Sequence, residues 1–93
     1  HAKRRLTSNK FLDLYKLILK DKAFVEFKTD NDGLYQYSLE VLNTRNDLKV
    51  LYHTNDLYKH LDDIFNKDNI QTEYEKKFVN LNKNINKIVW QYK

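Results

Sequence analysis

The sequence contains no cysteine, no proline and no methionine, and Gly33 is its only glycine. Without cysteine there is neither a disulfide framework nor a thiolate metal site, which agrees with a reducing compartment. The histidines are scattered at His1, His53 and His60, so a zinc site has no ligand set to support it. No apolar run is long enough to span a bilayer, and no signal core with a cleavage site is present. A soluble cytoplasmic protein with no membrane partner is therefore expected. The chain opens on His1 and lacks methionine altogether, and it reads as a fragment of a longer protein.

What is present is a basic start. The 93 residues carry a formal net charge of +4, and the excess gathers where Lys3, Arg4 and Arg5 stand beside His1. Such a cluster suits phosphate contacts, which position a nucleic acid without reading its bases. A solvated basic end is the bland reading of the same residues. A chain of this length supports one small domain or a piece of a larger one.

Thr7 or Ser8 can cap a first helix in which Phe11, Leu14, Tyr15 and Ile18 form a buried face, widened by Leu12 and Leu19, with Lys10, Asp13, Lys16 and Lys20 facing water. The stretch Ala23 to Tyr37, AFVEFKTDNDGLYQY, begins as a strand to Thr29 because Phe24, Val25 and Phe27 favour β structure. An acidic turn follows, and Leu34, Tyr35, Ser38, Val41 and Leu42 then recur at helical spacing in a helix over Asp32 to Asn43. Asp30 sits at the carboxyl end of the strand, where α/β proteins place ligand-contacting groups. Asp30 or Asn31 can equally do no more than cap the helix.

Leu48 to His53 alternates as a strand, with Leu48, Val50 and Tyr52 on one side and Lys49, Leu51 and His53 on the other. His53 has no suitable neighbour in sequence, and both it and His60 read as structural or solvated. Leu57, Leu61 and Ile64 are spaced for a short helix, and Asn66 to Asn69 reads as a loop. Thr72 and Glu75 have capping-box spacing at the start of a third helix, whose buried stripe is Tyr74, Phe78 and Leu81. Ile85 to Tyr92 is a last strand. The order helix-strand-helix-strand-helix-strand implies an α/β layered fold.

Three strings recur in a specific order: HAKRRLT at His1 to Thr7, FKTDN at Phe27 to Asn31, and TEYE at Thr72 to Glu75. Together with GLYQYSLE they closely resemble the C-terminal half of the bacterial tRNA (guanine-N7)-methyltransferases, over nearly the whole chain. The resemblance implies the C-terminal part of a class I, Rossmann-like methyltransferase sheet, with the last strand antiparallel between the other two. Residues 1–93 would then be a single piece, with the missing N-terminal half of the same protein as its partner. The strand at Ala23 to Thr29 would lack a neighbour, leaving an edge open to self-association. The chain departs from the family in three places. LKDKA replaces a turn with Pro and Gly, the segment from Asp56 to Thr72 is a few residues longer, and Asn82, Lys83 and Asn84 replace Gly and Pro before the last strand.

The resemblance also assigns roles. Asp30, followed by Thr72, Glu73, Tyr74 and Glu75, would contact the substrate, and His1, Lys3, Arg4 and Arg5 the tRNA backbone. The family's glycine-rich loop and proposed catalytic Asp precede His1. No catalytic or cofactor-binding residue is thus expected here, no metal is required, and S-adenosylmethionine would be bound mainly by the N-terminal half. The 93-residue chain alone is expected to be inactive. Guanine N7 is a lone pair with no proton to lose, so orientation is the chief device, and a carboxylate can accept hydrogen bonds from N1–H and the amino group. A non-catalytic RNA-binding α/β module, or a purely structural domain, is the alternative.

Overall fold

Three strands form one sheet in the order β1-β3-β2, where β1 is Phe24–Thr29, β2 is Leu48–Thr54 and β3 is Asn86–Tyr92. The last strand runs antiparallel to both neighbours, as the resemblance implies for the end of a methyltransferase sheet. The helices are α1 (Asn9–Ile18), α2 (Asp32–Thr44) and α3 (Glu73–Asn80). This computed structural model describes residues 8–19, 23–67, 69 and 71–93, together with the backbone but not the side chain of Tyr74. His1, Lys3, Arg4 and Arg5 lie outside the described residues.

As the central strand, β3 is buried on both faces, which its near-continuous apolar run Ile88, Val89, Trp90 permits. One face carries the core: Leu12 of α1, Tyr35 and Leu42 of α2, and Leu48, Ile88, Trp90 and Tyr92 of the sheet. The Tyr92 hydroxyl ties this layer to α1 by donating to the Leu12 carbonyl at 2.8 Å. The opposite face carries Glu26 and Lys28 of β1 and Lys87 and Val89 of β3, which pair across the ladder.

Several expectations are corrected. The buried face of α1 is centred on Leu12, with Tyr15 and Leu19 packed beside it, whereas Leu14, Leu17 and Ile18 are exposed. Arg45 explains the rotation. Its guanidinium donates to Asp13 Oδ1 at 2.7 Å and Asn9 Oδ1 at 3.2 Å while gripping Asp47 at 2.6 Å, which turns that side of α1 toward the start of β2.

In β2 the alternation breaks. An irregularity between Val50 and Tyr52 leaves Leu51 without a cross-strand partner, so Tyr52 opposes Val89 and His53 opposes Ile88. Tyr52 therefore changes face and stacks on Phe65, its ring centroid 5.4 Å away. His53 lands toward α2, where its Nδ1 lies 3.0 Å from the Tyr35 hydroxyl, a partner that sequence neighbours did not reveal.

The segment after β2 makes only a single 3-10 turn at Leu57–Lys59. Leu57 is buried, but Leu61 and Ile64 are exposed. The loop beyond is closed by Asn66, whose buried amide donates to the Tyr52 hydroxyl at 2.9 Å and the His60 carbonyl at 2.7 Å. On α3 the expected apolar stripe is met only in part among the described side chains: Phe78 is half-buried, Leu81 is 67% exposed, and Glu75 is buried. No helix of the described residues is long and apolar enough to cross a membrane.

Candidate functional site

The turn from β1 into α2 is fixed residue by residue. Asn31 caps α2, its Oδ1 accepting from the Leu34 N–H at 2.9 Å, and its own N–H donates to Thr29 Oγ1 at 3.1 Å. Asn86, at the start of β3, donates through its side-chain amide to the Thr29 carbonyl and to Asp32 Oδ1, both at 3.0 Å. Lys83 reaches the other Asp32 oxygen at 2.9 Å. The Asn86 hydrogen bond, and after it Lys83, hold the Asp32 carboxyl below its usual range. Asp30 lies between these anchored residues, and capping falls to Asn31 rather than to it.

Half-buried Asp30 lines a cavity of about 260 Å³ together with Lys28, Thr29, Thr72, Glu75 and Ile85. The two acidic strings, separated by over forty residues of chain, thus meet at the carboxyl end of β1. Thr72 caps α3 by accepting from the Glu75 N–H at 3.1 Å. The Glu75 carboxylate turns inward instead of completing the reciprocal box. It pairs with Lys28 and accepts from the Tyr58 hydroxyl at 2.5 Å, and the residue is only 5% exposed. A buried carboxylate is tolerable when paired and hydrogen-bonded in this way. Burial, and then the hydrogen bond to Glu75, push the Tyr58 hydroxyl above its ordinary range, so it stays protonated as a donor.

Asn69 closes the group, its Oδ1 accepting from Lys28 Nζ at 3.0 Å and its amide lying 3.4 Å from the Tyr58 oxygen. Glu73 is not part of the cavity. Its side chain is 91% exposed and pairs with Lys76 at 3.3 Å. The Tyr74 side chain and the basic residues His1, Lys3, Arg4 and Arg5 fall outside what the structure describes.

Lys28, Tyr58, Asn69 and Asn86 were not singled out from sequence. Asn86 carried a signal, since a polar residue of low β-propensity opening an apolar strand invites the question of what it bonds. Tyr58 and Asn69 carried none, because neither belongs to the Leu57, Leu61 and Ile64 spacing by which that segment was read. A larger cavity of about 670 Å³ on the same face is bounded by Phe24, Ile64, Phe65 and Val89. The buried lysine on its wall, Lys87, is engaged by Glu26 at 3.2 Å and by the Phe65 carbonyl. The smaller cavity, which holds Asp30, is therefore the candidate site.

The chain as a whole matches, over residues 1–88, the family described as "Putative methyltransferase". The chain belongs to this methyltransferase family. Among curated relatives, the tRNA (guanine-N(7)-)-methyltransferase of Mycoplasmoides gallisepticum is 49% identical, the match covering 99% of this chain and 44% of that protein. The enzyme of the same name from Mycoplasmopsis pulmonis is 46% identical, covering 100% and 44%. That from Lactobacillus johnsonii is 51% identical, covering 84% and 35%. The methyltransferase chain thus spans less than half the length of these relatives.

Gly33, the only glycine of the sequence, does not open a loop that could cradle a methyl donor. A phosphate- or nucleoside-cradling loop relies on glycines whose backbone a ligand can approach closely. Gly33 lies instead in the first turn of α2, where an added Cβ would meet Asn31 Oδ1 at 3.3 Å, so its open side is occupied by the helix cap. Among the described residues no group of three or more His, Asp or Glu side chains is arranged to hold a metal.

Proposed function

We propose that this chain is the guanine-holding portion of a tRNA (guanine-N7)-methyltransferase, acting on a guanine of the tRNA variable loop and depending on S-adenosylmethionine bound by a preceding half. The observation that carries this reading is the convergence of Asp30 and the Thr72–Glu75 turn on one cavity, in a chain about half identical to enzymes of that name. Asp30 accepts hydrogen bonds from the guanine N1–H and exocyclic amino group, and its charge stabilises the cationic ring that results when N7 is alkylated. Thr72 and Glu75 form the opposite wall, while His1, Lys3, Arg4 and Arg5 grip the backbone so that the base is presented outward. The preceding half is the partner that supplies the donor site, and β1, at the edge of this sheet, is the strand on which it would add.

The test is Asp30→Asn in the intact enzyme. Charge-assisted hydrogen bonds contribute about 1.5–3 kcal/mol, so the rate of tRNA methylation should fall about 10- to 100-fold with cofactor binding unchanged. Wild-type turnover by Asp30→Asn would overturn the reading.

A further inference from the structure

Glu75 is held directly from two separate elements, and a third braces both. Lys28 approaches from β1, Tyr58 from the 3-10 turn after β2, and Asn69 joins both from the loop before α3. The result is a closed ring of side chains behind the wall of the Asp30 cavity. Lys28 lies on β1 two residues before Asp30, and Glu75 is three residues after the cap Thr72. The ring consequently fixes the first turn of α3 against the end of β1, and with it the spacing between Thr72 and Asp30. The 3-10 turn is itself anchored, because the Leu57 N–H donates to the Ile85 carbonyl at 2.8 Å and Leu57 is fully buried. Tyr58 is therefore presented from a rigid platform.

Resting on the guanine-holding role of this cavity, we propose that Tyr58 is a positioning residue: by donating to Glu75 it sets the width of the guanine cavity. Tyr58 acts through Glu75 and needs no contact with the base. Its hydroxyl is the element of the ring that can be removed with least disturbance, since Phe keeps the aromatic body and deletes one oxygen. Misplacement of reacting groups by about 1 Å can cost on the order of 100-fold in rate, so a partial loosening is readable kinetically.

The experiment compares Tyr58→Phe, Asn69→Ala, Asp30→Asn and Tyr92→Phe in the intact methyltransferase by steady-state kinetics and thermal melting. Tyr92→Phe is the structural control, because it deletes a buried hydroxyl bond on the opposite face of the sheet. The expected result is a kcat about 10-fold lower for Tyr58→Phe, with the KM for tRNA within about twofold of wild type, and a smaller loss of kcat for Asn69→Ala. Tyr92→Phe should lower the melting temperature without lowering kcat. The proposal is overturned if Asp30→Asn is impaired while Tyr58→Phe keeps kcat within about twofold of wild type, or if Tyr58→Phe and Tyr92→Phe lose kcat equally for equal losses of melting temperature. If Asp30→Asn turns over normally, the reading of the cavity fails first, and the role of Tyr58 fails with it.

Discussion

Asn86 and Thr29 face each other across the β1–β3 ladder, and the Asn86 side chain also donates to the Thr29 carbonyl at 3.0 Å. One buried amide thus holds both the last carbonyl of β1 and the Asp32 carboxylate that opens α2. Replacing Asn86 with Leu removes the donor to both. The expected cost is about 1–3 kcal/mol of unfolding free energy, measured by denaturant titration of the intact protein. Asn86→Asp should cost more than Asn86→Leu, because it sets a second carboxylate against Asp32. A cost below that of Asn86→Leu would show that the turn is held by something else.

Asn82 is the one non-glycine residue with positive φ among those described, at 59°. Its N–H donates to the Val79 carbonyl at 3.0 Å, and that of Lys83 to the Phe78 carbonyl at 2.8 Å, the bond pair of a Schellman ending for α3. Asparagine tolerates this conformation, whereas a residue such as alanine pays about 1–2 kcal/mol for it. Asn82→Ala should therefore destabilise the protein by about that amount, and Asn82→Gly should be neutral or stabilising. Equal melting temperatures for the two variants would contradict this account of the helix end.

The Arg45–Asp47 pair predicts an acid response. Hydrogen bonds from Arg45, and then from Lys16, hold the Asp47 carboxyl well below the usual carboxylate range. A group whose folded pKa is depressed contributes stability above its unfolded pKa, near 3.9, and loses it as pH falls toward the folded value. Asp47→Asn should accordingly be less stable than wild type at pH 7, with the difference shrinking as pH drops below about 4. Guanidinium titrations at several pH values check this, and a gap independent of pH would rule the pair out as its source.

Much of the architecture was legible in the sequence because it rests on local pattern or on recognisable strings. The strand at Phe24–Thr29, the helix at Asp32–Thr44 and the middle position of the last strand all correspond to what was read. What was not legible depends on partners distant in sequence. The Leu51 bulge reverses the faces of Tyr52 and His53, and only the pairing with β3 reveals it. The rotation of α1 is set by Arg45, more than thirty residues away from Asp13. Periodicity put Leu81 on the inner side of α3, yet it is exposed, while two polar partners on other elements draw Glu75 inward. At the site, spacing alone left open whether Asp30 or Asn31 caps α2; the bond from Leu34 to Asn31 decides it.

The most direct test asks whether Asp30 reads the guanine edge. Single-turnover methylation should be measured for wild type and Asp30→Asn on tRNA carrying guanosine or inosine, which lacks the 2-amino group, at the target position. Wild type should methylate inosine about 10- to 100-fold more slowly than guanosine, and Asp30→Asn should lose most of that discrimination. Discrimination as strong in Asp30→Asn as in wild type would contradict the assignment of Asp30 to the base.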